Sequence, residues 1–400
     1  MDPRILVISE IFWPEGGGAE LATYLVLQLL KREGYNITVV TGTENPRPIK
    51  GVSFIYTPLL RYENRILRWI RMLELTQQQT FQNLMQKHDI VYIPLAAYPL
   101  IPAAKSRKKK IIVHLHNFMS TRYYGIKYAN EPDKLPMFQE FKLAIKHELH
   151  VHNSIPRALL LAPSFTLYVL SKHWIQQADA IICGSKRQFE IVKRVMPNIR
   201  HKIKIIYNPL PHVNPLPKKL EKPIFLYLGG DSYIKGFHIL LKASLKILKR
   251  YSDVNFNLVG SFKDTNKLLI EKLNMRFRGA YSLLSRLEHD EVLRLHSSAY
   301  ALLFPSIVEE PLPYAIIESM LCGTIPIASR VGGVLEIVQG TYAEKMLFPP
   351  NDVDRLVERI ESILSLSNEQ LTSIGEHIRE EILKKFNEKA TRKQLSEIFT

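Results

Sequence analysis

Two carboxylates eight positions apart, Glu310 and Glu318 in "EPLPYAIIE", are the residues of this 400-residue chain best placed by type and spacing to serve one ligand. Proline is favoured at the first helical position, so a helix starting near Pro313 carries Glu318 about 1.5 turns in and leaves Glu310 on the approach loop. A ligand lying across that helix N-terminus would meet both carboxylates, and the N–H groups and dipole there suit a phosphate. Two glycine loops point the same way. In "PEGGGAE", Gly17 and Gly18 place bare backbone between a strand and a helix. In "YLGGDSYIKG", Gly229 and Gly230 do so again, with Lys235 where an ammonium could meet a diphosphate. Taken singly, the first loop also reads as a tight turn and Lys235 as a surface lysine. The spacing in "GGGAEL" is not that of the dinucleotide fingerprint, which weighs against a nicotinamide enzyme.

Other clusters carry weaker signals. "VHLHN" sends His114 and His116 to one face at a strand end, although packed or capping histidines explain that pattern more commonly. His147, His150 and His152 in "HELHVHN" suggest metal, but only the first two share a helical face and the spacing is not H-E-x-x-H, so no metal is expected. In "RYENRILRWIRMLEL", Arg61, Arg65, Arg68 and Arg71 are spaced to line one helical face, with Ile66, Trp69, Ile70 and Leu73 filling much of the other. That is the pattern of a helix lying on an anionic membrane, with "KSRKKK" at 105–110 as a second basic patch; an ordinary amphipathic surface helix is the alternative.

The elements that must hold these residues alternate. "RILVIS", "AELATYLVLQLLKRE" and "NITVVTG" read as strand, helix, strand, and "DIVYIP", "KIIVHLH" and "ADAIICGS" continue the strand series, which predicts a mostly parallel, doubly wound sheet. The Pro-rich run 209–223 separates residues 1–208 from a second alternation. That second series reads strands at "IFLYLGG", "NFNLVGS", "RFRG", "ALLFPS" and "TIPIAS", with helices between them, and forms a second doubly wound domain over 224–382. Residues 383–400 form a closing helix.

Composition bounds the function. Apolar residues make up 46% of the chain, as in a fully globular protein, and its length suggests more than one domain. Of the formal charge of +16, residues 1–210 carry +14, from 29 Lys and Arg against 15 Asp and Glu, so the first half is expected to face something acidic. Nucleic acid is disfavoured because no aromatic-interleaved basic groove accompanies the charge. Only Cys183 and Cys322 occur, both in apolar runs, which fits a reducing, cytoplasmic compartment. No signal peptide is read at "MDPRILVIS", and the apolar run "IPRALLLAPSFTLYVL" is shorter than the roughly 20 residues of a spanning helix.

With these residues in hand, the chain resembles the retaining glycosyltransferases of family 4, which have the GT-B architecture of two facing Rossmann-like domains and a terminal helix that returns to the first. The resemblance spans nearly the whole chain. It rests on "GGGAE", on Lys235-Gly236 after "YLGG", and above all on the run from Glu310 through "ESMLCGTIPIAS" to "VGGVLE". It implies that Glu310 contacts donor-sugar hydroxyls near the anomeric carbon and that Glu318 holds the nucleotide ribose. Lys235 and the backbone amides at the start of the glutamate helix would steady the diphosphate, with Leu312, Pro313 and Tyr314 lining the donor, His116 would sit near the reacting sugar, and Gly17 and Gly18 would match the loop holding donor and acceptor. The chain departs from the family at two positions: Gly230 stands where an arginine is frequent, and Pro313 replaces a glycine and so removes one N–H. The implied activity is metal-independent, cofactor-free transfer of a sugar from a nucleotide sugar to a lipid-linked or other anionic glycan precursor at the cytoplasmic membrane face. The alternative is a catalytically impaired sugar-nucleotide-binding or scaffold protein of the same fold.

Overall fold

The computed structural model describes residues 3–61, 65–147, 149, 161–214 and 216–400. The chain divides into two compact units. Unit 1 comprises Met1–Lys127, Glu131–Leu210 and Glu388–Thr400; unit 2 comprises Tyr128–Asn130 and Pro211–Asn387.

Unit 1 is built on seven strands: β1 (Arg4–Ser9), β2 (Asn36–Thr41), β3 (Ser53–Tyr56), β4 (Ile90–Ile93), β5 (Lys110–Leu115), β6 (Ala180–Cys183) and β7 (Ile203–Ile205). They pair in the order β3-β2-β1-β4-β5-β6-β7, every pair parallel. Ile5 through Ile8 have no exposed surface, because a parallel sheet covered by helices on both faces buries both sides of a strand. The apolar runs, not period-two alternation, therefore marked these strands. The short β3 and β7 escaped that reading.

Unit 2 holds six parallel strands, β8 (Ile224–Tyr227), β9 (Asn255–Val259), β10 (Tyr281–Leu284), β11 (Ala301–Phe304), β12 (Ile325–Ser329) and β13 (Leu347–Phe348), in the order β10-β9-β8-β11-β12-β13. The expected strand at "RFRG" is not one. A helix runs Asp264–Arg276, Arg278 turns at φ 53, and the strand follows at β10.

Within unit 2, Tyr128 bridges Val308 and the Ala129 N–H donates to the Ile307 carbonyl (3.0 Å). The helix Asn368–Lys385 belongs to unit 2, so only Glu388–Phe399 of the closing segment joins unit 1. There Phe399 is buried edge-on against Tyr92 (5.2 Å) and Tyr35, while Arg392 pairs with Glu33 (3.2 Å). Cys183 and Cys322 are buried free thiols. Among the described residues, no helix is long and apolar enough to cross a membrane.

Candidate functional site

Residues at the carboxyl ends of β8, β11 and β12 build a charged site within unit 2. β11 runs into Pro305 and Ser306 and then into the loop bearing Glu310. β8 runs into Gly229, Gly230 and the turn bearing Lys235. Gly236 adopts φ +79 at the N-cap of the helix Phe237–Leu248, and a Cβ there would stand 1.9 Å from the Pro305 carbonyl oxygen. That close approach, open only to glycine, brings the two loops together. Lys235 Nζ consequently donates to Glu310 Oε1 at 2.5 Å, and Ser306 Oγ donates to the same oxygen at 3.2 Å.

The loop after β12 fixes the backbone of Glu310. Gly332, at φ +50, would set a Cβ 1.9 Å from the Glu310 carbonyl oxygen. The Gly333 N–H donates to that oxygen at 2.8 Å, and the Gly332 N–H donates to the carboxylate of the buried Glu309. Two adjacent glutamates thus do different work: Glu309 ties down the glycine loop and Glu310 faces Lys235.

Glu318 sits one turn into the helix Tyr314–Leu321, whose N-cap is Pro313 rather than an earlier residue. Its carboxylate is 8% exposed and accepts from His289 Nε2 at 2.7 Å. The side chains of Leu312 and Tyr314 are buried. Burial raises the Tyr314 hydroxyl pKa well above normal, and the Glu318 charge adds to the shift.

Gly230 needs its glycine for packing. It adopts φ +55, its N–H donates to the Val259 carbonyl (3.0 Å), and a Cβ would lie 2.6 Å from the Ser261 carbonyl oxygen. A side chain would not fit this backbone, and the Gly230 N–H is already engaged by the Val259 carbonyl.

In unit 1 the expected phosphate loop is also partly committed. Gly17 is the N-cap of the helix Gly18–Arg32, and its N–H donates to Glu20 Oε2 at 2.6 Å, a carboxylate closing the place expected for an anion. The sterically required glycine is Gly16, at φ +87, where a Cβ would meet the Glu20 carboxyl at 2.3 Å; nothing lies within 4 Å of a Cβ on Gly17. His114 and His116 do share a face, with ring centroids 4.0 Å apart. His114 Nδ1 bonds the Tyr92 hydroxyl (2.9 Å), and the Nε2 atoms of both rings are buried without a protein partner. Burial pushes the His116 pKa down to about 3 and that of His114 well below normal, so both rings are neutral near pH 7.

The arginine row is corrected. The helix runs Arg65–Gln77; Arg61 precedes it and pairs with Glu15 (3.0 Å). Arg68 lies near the buried Glu10 and offsets part of the rise that burial imposes on its pKa, and Arg71 pairs with Glu74 (2.6 Å). The side chains of Arg65 and Ile66 lie outside the described residues, as do those of His147, His150 and His152. Trp69 is 2% exposed and packs edge-on against Trp174 at 6.0 Å in the core, so it cannot face a membrane. The face that is exposed carries Leu67, Ile70 and Leu73, at 50%, 45% and 46%. Lys105 of the second basic patch pairs with Asp179, and Lys109 donates to the Gln86 carbonyl. That patch precedes β5, whereas His116 follows it, roughly 20 Å away along a six-residue strand.

Sequence reasoning missed His289, Ser306 and Glu309, and gave Gly332 and Gly333 no individual role although "VGGVLE" was part of the run that carries the resemblance; nothing local ties His289 to a glutamate 29 positions on.

Comparison with known proteins agrees with this arrangement. Residues 16–212 match the family described as Glycosyltransferase Family 4, and residues 212–381 match Glycosyl transferases group 1. An uncharacterized glycosyltransferase of Methanocaldococcus jannaschii is 31% identical over 249 residues, 62% of this chain and 66% of that one. A human protein named as a component of phosphatidylinositol N-acetylglucosaminyltransferase is 22% identical over 340 residues, 84% of this chain and 63% of that one. The chain thus spans slightly under two thirds of the length of these relatives. The crystal structure of Anabaena HepE in complex with UDP-glucose superposes with a TM-score of 0.65 at 16% identity, covering 99% of this chain and 98% of that one. With its two parallel-sheet units and the glutamate-bearing loop and helix at the ends of β11, this chain belongs to the family 4 glycosyltransferases of GT-B fold.

Proposed function

We propose that the protein transfers a sugar from a nucleotide sugar to an anionic, lipid-linked acceptor with retention at the anomeric carbon. The observation that carries this reading is the pairing of Lys235 with Glu310 beside a helix that presents Glu318. A departing diphosphate develops negative charge, and a fixed ammonium with helix N–H groups aimed at it lowers the barrier. The bond from the anomeric carbon to the diphosphate oxygen breaks, and the electron pair leaves with the nucleoside diphosphate. The acceptor oxygen bonds to the same face of that carbon, and its proton passes to the leaving phosphate. Lys235 and the helix supply the positive charge, so no metal is assigned a step. Glu310 accepts from sugar hydroxyls and Glu318 from ribose. UDP-glucose, the ligand of the Anabaena neighbour, is a donor of the required class.

The acceptor is assigned to unit 1, where the positive charge of the chain is concentrated and His116 offers a neutral ring. A relative named for transfer to phosphatidylinositol supports an anionic lipid. The helix Arg65–Gln77 supports peripheral attachment at the cytoplasmic membrane face. It buries Trp69, Met72 and Leu75 yet exposes Leu67, Ile70 and Leu73, and a helix apolar on both sides of a soluble unit calls for a second apolar partner.

A second reading, a sugar-nucleotide-binding scaffold without turnover, is favoured by Gly230 and Pro313, each of which removes a phosphate donor. Binding of a nucleotide-sugar panel followed by assay of released nucleoside diphosphate with lipid extract as acceptor decides between them. Release supports transfer; binding without release in every donor and acceptor combination overturns it.

A further inference from the structure

His289 has no place in the donor assignments above, yet its ring is hydrogen-bonded to the Glu318 carboxylate. A carboxylate only accepts, so the contact requires that His289 Nε2 carry the proton and donate it to Glu318 Oε1. Glu318 is 8% exposed, and among the described residues its Oε2 accepts from no protein group. A nearly buried carboxylate with one oxygen satisfied and one not is poised for further donors, because desolvation is costly until both are engaged. The cis-diol of a ribose supplies two.

The backbone around His289 is built to hold the ring still. His289 is the first residue of the helix His289–Leu295, and Glu288 is its N-cap. The Glu291 carboxylate accepts the Glu288 N–H at 3.0 Å and closes a capping box around the histidine. A second tether joins the same two helices one turn on, where Cys322 Sγ lies 3.9 Å from the Leu293 carbonyl oxygen. A lysine in place of His289 would neutralise Glu318 and compete with the sugar hydroxyls. An imidazole N–H instead fixes one oxygen and leaves the other its acceptor strength.

We propose that His289 is a positioning residue which holds Glu318 so that its second oxygen accepts the ribose hydroxyls of a nucleoside diphosphate. This rests on the assignment of Glu318 to the donor. The predicted signature is specific: loss of His289 should remove discrimination for the ribose hydroxyls while leaving diphosphate contacts in place.

The test measures binding of UDP, ADP and GDP to the full chain, and then of the 2′,3′-dideoxy form of whichever binds tightest. The wild type should prefer the ribose form by at least about tenfold, the low end for a single hydrogen bond to a charged group. Glu318→Ala should erase that preference. His289→Ala should cut it to within about threefold, His289→Gln, which keeps an N–H donor, should restore most of it, and thermal melting of each variant reports whether it is folded. In turnover, His289→Ala should raise the donor KM with kcat within about threefold. A full preference in His289→Ala, with the preference lost in Glu318→Ala, overturns the positioning role and leaves the donor site standing. A preference that survives Glu318→Ala, or no nucleotide binding by the wild type, overturns the donor assignment and this inference with it.

Discussion

Glycines do different work in the two units. In unit 2, Gly236 and Gly332 each have positive φ and lie where a Cβ would come within 1.9 Å of a backbone oxygen, and both approaches serve Glu310. In unit 1, a Cβ on Gly17 would touch nothing, and the Gly17 N–H is capped by Glu20. In that loop Gly16 alone has positive φ, and its Cβ would meet the movable Glu20 carboxyl rather than a backbone oxygen, so the loop is less tightly constrained than those of unit 2. Backbone contacts forced by neighbouring strand ends, rather than glycine count, set the candidate site of unit 2 apart.

The largest effect that would break this contrast is catalytic. Glu310→Gln and Lys235→Ala should each lower turnover by about two to three decades, or ~2.7–4 kcal/mol, the typical cost of removing a group that stabilises a transition state. Thermal melting should move little, because Lys235 is 39% exposed and an ion pair so placed adds little stability. Steady-state assay beside melting curves checks both, and near-normal turnover in both variants would remove the site from unit 2.

The glycine comparison gives a stability test. Gly332→Ala places a Cβ against a fixed carbonyl at positive φ, and should destabilise by about 2–4 kcal/mol. Gly17→Ala, at an N-cap with open space, should cost about 1 kcal/mol or less. Equal losses in denaturant titrations would show that the two loops are under the same constraint.

What could be read from the chain follows the same division. The site loop and helix of unit 2 are contiguous in sequence, so "EPLPYAIIE" placed both carboxylates and came within one residue of the helix start at Tyr314. The partner of Glu318 comes from a different helix, and only folding brings His289 to it. In unit 1, the spacing of Arg61, Arg68 and Arg71 was right for a helix, but periodicity cannot say which of two apolar faces turns inward. Trp69, Met72 and Leu75 took the core, and the proline-led turn Pro58–Leu60 put Arg61 outside the helix altogether. Gly230 could be read as a departure from the family; that its N–H and its space were taken by Val259 and Ser261 could not.

Acid should expose a further difference. His296 in unit 2 is fully buried, neither ring nitrogen has a protein partner, and burial with the nearby Lys218 pushes its pKa down to about 3. Because the folded-state pKa lies below the unfolded value near 6.5, protons favour the unfolded chain. The loss of stability begins as pH falls through about 6.5 and continues to about pH 3, at ~1.4 kcal/mol per pH unit for one histidine. His114 in unit 1 shifts the same way, but there the raised pKa of Glu10 acts in the opposite sense at the acid end. Denaturant titrations at pH 7.5 and 5.5 should therefore show lower stability in acid. His296→Asn should flatten that slope by about one histidine's share, whatever its effect at neutral pH. An unchanged slope would mean that His296 titrates normally.

The smallest expected effect concerns the surface of unit 1. Leu67, Ile70 and Leu73 recur every third residue and are each about half exposed, so inserting them at a headgroup boundary would bury the remaining apolar area. Partial burial of three such side chains, at roughly 25 cal/mol per Å², corresponds to about a tenfold gain in vesicle affinity once ordering costs are included. The basic charge of residues 1–210 would add an attraction that salt screens. Co-sedimentation should show binding to vesicles containing phosphatidylserine, weaker binding to purely zwitterionic ones, and a decline between 0.05 and 0.5 M salt, over which the Debye length shortens roughly threefold. The triple change to glutamine should cost about tenfold with the salt dependence preserved, because the lost contribution is apolar. Trp69→Phe should leave vesicle binding unchanged, since Trp69 lies in the core against Trp174. If Trp69→Phe weakened binding while the triple change did not, the helix would present its other face to lipid and the orientation argued here would be reversed.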